Sequence, residues 1–456
     1  MSAPRSLVAA RHLSRAESEA LAKRVLAFSS ADAARVTINS GVRGNTRFAV
    51  NQISTAGDNY NASVSILSTF GKKSGVVSTN KLDDASLKAA VETSEKLAKL
   101  SPDDPEAMPE LGPQQYAEAG GWSDTTATLD PMSRAAAARL ITEPTRAAGL
   151  VSTGYLETQA GAQAVANSRG LFAYGRQTAL SLTTTVRTED GSGSGWAGAT
   201  SHDWSKLDPK SLGARAIEKA KRSVNPVAVE PGRYTVILEP TAVGNLVQFI
   251  GFGMNARNAD EGRSFFSKPG GGNKIGMKVV DERVTLVSDP LDPDAFGNTF
   301  ANDGTPITRT VWIDKGVVQN LAYDRYWAER QGKTPSSIGG TLRMSGGTAS
   351  LDELITSTDR GILVTRFWYI RSVDPRTILY TGLTRDGTFL IERGKITRAV
   401  KNLRFNESPI FMLNNLDAMG RPERVSASEA GGPGIAIVVP PIKVRDFSFT
   451  SLSDAV

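Results

Sequence analysis

The stretch RYTVILEPTAVGNLVQFIGFGMNARNADEGRSFFS, residues 233–267, decides the fold. Tyr234, Val236 and Leu238 alternate with Thr235 and Ile237, and most of these residues are β-branched or large, so the stretch opens as a strand. Glu239, Pro240 and Thr241 stop it, and proline suits the first turn of a helix. Ala242, Val243, Leu246, Val247, Phe249 and Ile250 then recur at spacings of three and four, one face of a helix. Gly251 and Gly253 loosen its end. A bilayer needs roughly 20 apolar residues, and this run is shorter. The pattern describes a buried helix at the centre of a domain.

Outward from that centre, the C-terminal part reads as strands and turns. Strand patterns cover residues 284–288, 309–313, 317–323, 362–368, 378–383, 389–392, 396–401, 434–439 and 443–449. Asp314-Lys315-Gly316, Arg385-Asp386-Gly387 and Arg393-Gly394-Lys395 are turns by composition. Residues 351–357 and 408–419 are short helices. The expected picture is one helix against a curved, mostly antiparallel sheet.

The N-terminal part repeats a simpler plan. Ser14 and Glu17 form a capping box before an amphipathic helix. Strand patterns follow at 34–39, 46–53, 62–70 and 76–79, with turns expected at 41–44, 57–58 and 71–73, then a helix over 84–100. Residues 101–113, SPDDPEAMPELGP, read as an exposed connection. Asp130-Pro131 opens a helix that Pro144 should end or kink. A second block of strands at 155–159, 162–167, 171–174, 179–187 and 196–199 precedes a helix opened by Asp208-Pro209. Strands-then-helix occurs twice, a hint of duplication without a residue-level repeat. The fold class is α+β. Expected domains are an N-terminal α+β unit (1–112), a middle α+β unit (113–226) and a C-terminal, mostly antiparallel β domain built around the buried helix (227–456).

Composition narrows the function. Of 456 residues, 40% are hydrophobic and 22% charged, which fits a globular chain rather than a disordered one. The net charge of +6 is spread thinly, without an aromatic-interleaved basic stripe, so nucleic-acid binding is not expected. With no cysteine, disulfides are excluded. The first residues carry arginine but lack a continuous apolar core, so they do not read as a signal peptide. A cytoplasmic protein that does not enter the membrane is expected. Pro269-Gly270-Gly271-Gly272-Asn273-Lys274 lacks the phosphate-loop spacing and reads as a mobile surface loop. Asp289, Asp292 and Asp294 miss the calcium-loop pattern, and Pro290 and Pro293 make that segment a rigid turn. Phe367, Trp368 and Tyr369 could anchor an interface or, as strand residues, serve the core. No serine or cysteine nucleophile has a well-placed histidine.

Five stretches carry a resemblance. Besides residues 233–267 they are GRSFFSKPGGGNKIG (262–276), NDGTPITRTVWIDKGVVQNLAYDRYWAERQGKTP (302–335), GTLRMSGGTASLDELI (340–355) and DGTFLIERGKITRAVKNLRFNESP (386–409). Together they resemble the TldD/PmbA family, once called modulators of DNA gyrase and regarded as metallopeptidases. Catalytic members carry H-E-x-x-x-H on the central helix, with both His on zinc and the Glu as general base, and a Cys near the C-terminus resembles a third ligand. Laid on that pattern, the first His falls at Gln248, the Glu at Phe249, the second His at Gly253, and the Cys near Ser428 to Ala430. None of these can bind zinc well or take a proton. The chain's two histidines, His12 and His202, lie far from the motif. No catalytic or metal residue is therefore expected here.

The resemblance implies the branch that lacks the zinc motif, TldE/PmbA-type subunits, which pair with a zinc-binding TldD-type subunit. It implies that zinc sits in the partner, that the substrate is an unfolded or leader-like peptide gripped in extended form, and that a homodimer is an alternative when the chain is alone. It also marks the loop at Gly270, Gly271 and Gly272 as substrate-facing or interface-facing. Two other readings stay open: a self-sufficient peptidase with a different site, and a gyrase- or nucleic-acid-associated binder.

Overall fold

Residues 12–425 and 436–453 are described by a computed structural model. Two similar units come first. One holds the helix Arg15–Leu26, the strands Ala33–Ala49, Gln52–Phe70 and Lys73–Thr79, and the helix Asp84–Leu100. The other holds the helix Pro131–Ala147, the strands Val151–Asn167, Phe172–Arg187 and Ser194–Ser201, and the helix Pro209–Arg222. All six strands form a single antiparallel sheet, because Ala33–Ala49 pairs with Val151–Asn167 at its middle. Val36, Ile38, Val64 and Ile66 alternate onto one face and bury against Leu21, Val25, Leu87 and Val91 of the first unit's helices. Helix starts follow the capping signals. Ser14 and Glu17 make the reciprocal capping box, and Asp130 and Asp208 accept from Ser133 N and Ser211 N.

Several local expectations are corrected, among them the turn at 57–58, which lies inside the strand Gln52–Phe70, and the helix over 408–419, which ends at Asn414 before the strand Leu416–Met419. Gly41 and Gly44 do not turn the chain: they lie inside the strand Ala33–Ala49. A Cβ on Gly41 would meet Ala160 O at 2.5 Å and Gly161 Cα at 2.7 Å, so the glycine answers to close strand packing. The turn comes at Val50 and Asn51, both at positive φ (51° and 58°), where the Asn51 carboxamide donates to Leu150 O and accepts from Ser152 N. Pro144 does not end its helix, which runs on to Ala147. Arg385-Asp386-Gly387 is likewise no turn. It lies within the strand Leu379–Glu392 as an irregularity in its pairing, with Asp386 at φ 55° and Gly387 at φ 130°.

The C-terminal part holds a five-stranded closed barrel. Its strands run in the order Arg360–Asp374, Gly232–Leu238, Ile442–Leu452, Leu403–Glu407 and Leu379–Glu392, and the last pairs back with the first. A second sheet has the order Val317–Val318, Thr310–Asp314, Leu286–Ser288, Thr341–Met344, Ala436–Val439 and Glu423–Val425. The helix Pro240–Gly253 lies between them, against barrel strand Arg360–Asp374 on one side and Ala436–Val439 and Glu423–Val425 on the other. Ala242, Val243, Leu246, Val247 and Ile250 are fully buried there. The expected curved antiparallel sheet is thus a closed barrel, with one parallel pairing between Arg360–Asp374 and Gly232–Leu238.

The units are clasped by buried charge. Asp386 is 3% exposed; it accepts from Arg366 Nε at 3.0 Å and from Ser194 Oγ at 2.6 Å, which ties the N-terminal sheet to the barrel. Burial opposes its charge, but Arg366 and Ser194 outweigh burial and hold the carboxyl below its ordinary range. Residues 101–113 are the mostly exposed connection expected, and they are also held down as a strap. Glu106 takes a bidentate pair from Arg257 at 2.7 Å, Arg35 reaches Glu110 at 3.0 Å, and Asn167 donates to Leu111 O at 2.8 Å.

Candidate functional site

The central helix starts at Glu239, whose backbone caps it without a side-chain cap, and Pro240 takes its first position. Glu239 N donates to Val364 O at 3.0 Å, and Phe367 N donates to Asn245 Oδ1 at 3.1 Å. These two bonds fix the helix against its barrel strand and set the direction in which its last turn points.

That last turn carries Gln248, Phe249 and Gly253. Gln248 is half-buried, and its Nε2 donates to Asn245 O at 3.0 Å. Phe249 stacks on Tyr380, with ring centroids 3.8 Å apart and planes tilted by 16°, and meets Phe252 edge-on at 6.1 Å. Burial pushes the Tyr380 hydroxyl above its ordinary pKa. At Gly253, a Cβ would stand 3.2 Å from Ile378 Cδ1 and 3.6 Å from Phe266 Cε2. Ile378 is 3% exposed and sits at φ 50°, a conformation that a β-branched residue adopts only when its surroundings hold it there.

Zinc does not fit these residues. Where two imidazoles and a carboxylate would converge, the chain presents a carboxamide already bonded to its own helix, an aromatic stack and an isoleucine in van der Waals reach of Gly253. Residues five apart on a regular helix also lie roughly 140° apart, so a shared metal would require further distortion. Among the described residues, no three His, Cys, Asp or Glu side chains cluster in a way that could hold a metal ion. His12 packs on Trp122 at 4.7 Å and His202 on Phe296 at 5.0 Å. The position matched to the family's Cys, near Ser428 to Ala430, lies outside the described residues.

The other singled-out residues separate. Gly270, Gly271 and Gly272 have φ of 87°, 111° and 76° and make an exposed tip. The loop is pinned at its base, where Asn273 Nδ2 donates to Asp260 Oδ1 at 2.7 Å and Lys274 Nζ lies 3.7 Å over the Phe265 ring. Phe367 is fully buried, stacked parallel to Phe447 at 5.6 Å. Trp368 lies between the guanidiniums of Arg366 and Arg385, at 5.1 and 5.3 Å. Tyr369 is 55% exposed, with Arg371 4.1 Å over its ring. Asp292 and Asp294 serve Arg343, at 2.8 and 2.7 Å, which explains the rigid turn they form.

One group beside the site had no signal in the sequence. Glu407 lies directly across the strand pair from Tyr380 and is 3% exposed. Its oxygens accept from Ser408 N at 2.8 Å and Ser448 N at 3.1 Å. Burial pushes its carboxyl up to about 7, against the opposing pull of those two amides.

Comparison with known proteins agrees with this architecture. Residues 122–224 match the family model of the PmbA/TldA metallopeptidase central domain, and residues 231–451 match that of the C-terminal domain. A metalloprotease of Methanothermobacter thermautotrophicus is 26% identical over 329 residues, 65% of this chain and 69% of that protein. A metalloprotease TldD homolog of Haemophilus influenzae is 26% identical over 216 residues, 44% of this chain and 43% of that protein. In three dimensions the chain is similar to TldE from Thermococcus kodakarensis, with a TM-score of 0.84 at 19% identity, covering 95% of this chain and all of that one, 100%. A Bacteroides thetaiotaomicron protein named as a candidate modulator of DNA gyrase gives a TM-score of 0.82 at 23% identity, covering 96% and 99%. No helix among the described residues is long and apolar enough to cross a membrane. Two matching domain models over most of its length, on the fold just described, make this chain a member of the PmbA/TldD metallopeptidase family.

Proposed function

We propose that this chain is the non-catalytic subunit of a heterodimeric metallopeptidase whose other subunit, of TldD type, carries the zinc. The observation that supports this reading is the filled helix end: Phe249 stacked on Tyr380 and Ile378 packed at Gly253 occupy the positions of the general base and the second His. A zinc peptidase needs about three protein ligands, an open position for water and a base to deprotonate it. The helix end offers an apolar plug instead. The role left to the chain is to pair with the zinc subunit and to guide an unfolded or leader-like peptide toward it.

Metal analysis and a peptide-cleavage assay, each run with and without a TldD-type subunit bearing H-E-x-x-x-H, test the proposal. The expected result is well under one zinc per chain and no chelator-sensitive cleavage from the chain alone. Mixed with the zinc subunit, it forms a stable complex whose activity is lost when that subunit's Glu is changed. Stoichiometric zinc and chelator-sensitive turnover from this chain alone would favour the self-sufficient peptidase.

A further inference from the structure

The second face of the N-terminal sheet joins a small core only at one end, where Val165 and Ala173 pack with Leu171 and Phe300. Strand register sets its side chains in rows. In one row Asn61, Gly41, Gly161 and Gln177 lie side by side across four strands; in the next, Asn59, Arg43, Gln159 and Ala179. Gly41 and Gly161 thus lie side by side at the centre of the first row, with carboxamides on either side. Residues 297–300 from the C-terminal part overhang this floor and enclose a cavity of about 580 Å³. A second cavity of about 430 Å³ shares Gln159, Gln177 and Ala179 with the first and is also lined by Phe296, His202, Arg424 and Gly339-Gly340. Each volume falls within the range of ligand sites, roughly 300–1,000 Å³.

The lining selects its ligand. A carboxamide both donates and accepts, so it matches the N–H and C=O of a peptide group in either direction. Glycines at the centre of the floor let a backbone lie close to the sheet. The first cavity is lined by Arg43 and Arg176 and, among the described residues, by no carboxylate; in the second, Glu157 contacts Arg43 at 3.1 Å and Asp292 and Asp294 face Arg424. The balance favours an anion. In the first cavity Phe300, 3% exposed, is too buried to give a sugar chain a flat aromatic platform.

We infer that this two-chambered channel binds an extended, acidic peptide segment, a holding site separate from the helix end. Its service to a zinc partner rests on the function proposed above; binding itself does not, so the two fail separately. The test is fluorescence anisotropy on the full chain with labelled ten-residue peptides that differ only in carrying Glu, Gln or Lys at alternate positions, and with an oligogalacturonate of similar length. The Glu peptide binds tightest, and its affinity falls with salt. Ala179→Phe, which fills the floor, weakens it at least tenfold. Gln177→Glu, a near-isosteric change at an exposed position, weakens the Glu peptide and strengthens the Lys peptide, a reversal that misfolding does not produce. Equal binding of all three peptides, an unchanged affinity in Ala179→Phe, no reversal in Gln177→Glu, or binding of the oligogalacturonate in preference to the Glu peptide would overturn the inference.

Discussion

Lys219 Nζ lies 2.7 Å from Glu239 Oε2, joining the last turn of the helix Pro209–Arg222 to the N-cap of the central helix. The other oxygen of Glu239 accepts from Thr365 Oγ1 at 3.1 Å on the barrel strand. One carboxylate therefore ties together the N-terminal sheet's last helix, the central helix and the barrel. A negative charge at a helix N-terminus is itself favourable. Burial pushes the Lys219 ammonium below the ordinary lysine range, and Glu239 pulls it partly back.

Lys219→Met should leave Glu239 without its cation in a place where water is scarce. Removing one member of a buried pair costs about 3–5 kcal/mol; both side chains keep some exposure, 18% and 13%, so about 2–3 kcal/mol is expected here. The double variant Lys219→Met with Glu239→Gln should recover part of that loss. Urea unfolding of the four proteins in the cycle measures it. Additive losses would show that the pair does not clasp the units.

Rebuilding the motif should not restore a peptidase. Gln248→His, Phe249→Glu and Gly253→His together bring a carboxylate into the Tyr380 stack and an imidazole against Ile378. Stability should fall by a few kcal/mol, because the new polar groups lose water without gaining partners. Adding Ile378→Ala should ease the contact at Gly253, yet zinc affinity should stay far below that of a catalytic relative, since the supporting hydrogen bonds are also missing. Calorimetric zinc titration decides; tight binding by the triple variant would mean that the site is only masked.

Glu407 gives the fold a pH dependence of unusual sign. Its folded carboxyl titrates at about 7, above its ordinary value of 4.5. A raised value means that the native state holds the proton more firmly than the unfolded chain. The contribution is fully present below pH 4.5, is lost as pH rises to about 7, and is constant beyond. The size is on the order of 3 kcal/mol. Glu407→Gln should remove this slope without raising stability overall, because its amide would face one of the two N–H groups that Glu407 now accepts from. Urea unfolding at pH 5 and pH 8 checks both statements.

The residues that were legible in the sequence are those whose signal is local. The strand and helix of 232–253 and the capping box at Ser14 follow from neighbours within a turn or two, whereas the emptied motif is read only through the family resemblance. Gly41 was misread because a glycine has one composition and two uses; only the register with Gly161 shows that it serves strand contact. Barrel closure depends on Arg360–Asp374 meeting Gly232–Leu238 over a hundred residues away, which no short window contains. The same holds for the plug. Ile378 reads as the first residue of a strand, and nothing near it in sequence announces that it fills the space beside Gly253.

If the proposed pairing with a zinc subunit holds, the surface around the plug is the expected contact. Phe252 is 56% exposed beside Phe249, and Tyr369 and Val373 on the strand Arg360–Asp374 are 55% and 52% exposed. Ser372, next to Val373, pairs with Tyr380, so the exposed apolar groups border the stack that closes the helix end. Large exposed apolar groups in one neighbourhood mark interaction surfaces more often than they mark accidents of composition. Phe252→Glu and Val373→Arg each place a charge where association would bury it, at a cost of several kcal/mol. Either should weaken the complex with a TldD-type subunit by at least tenfold while leaving the chain's own unfolding midpoint nearly unchanged, since both positions are already wet. Sedimentation velocity on mixtures measures the first effect and thermal unfolding the second. A complex that forms equally well with both variants would move the interface away from the helix end, to another face of the barrel or to the N-terminal sheet.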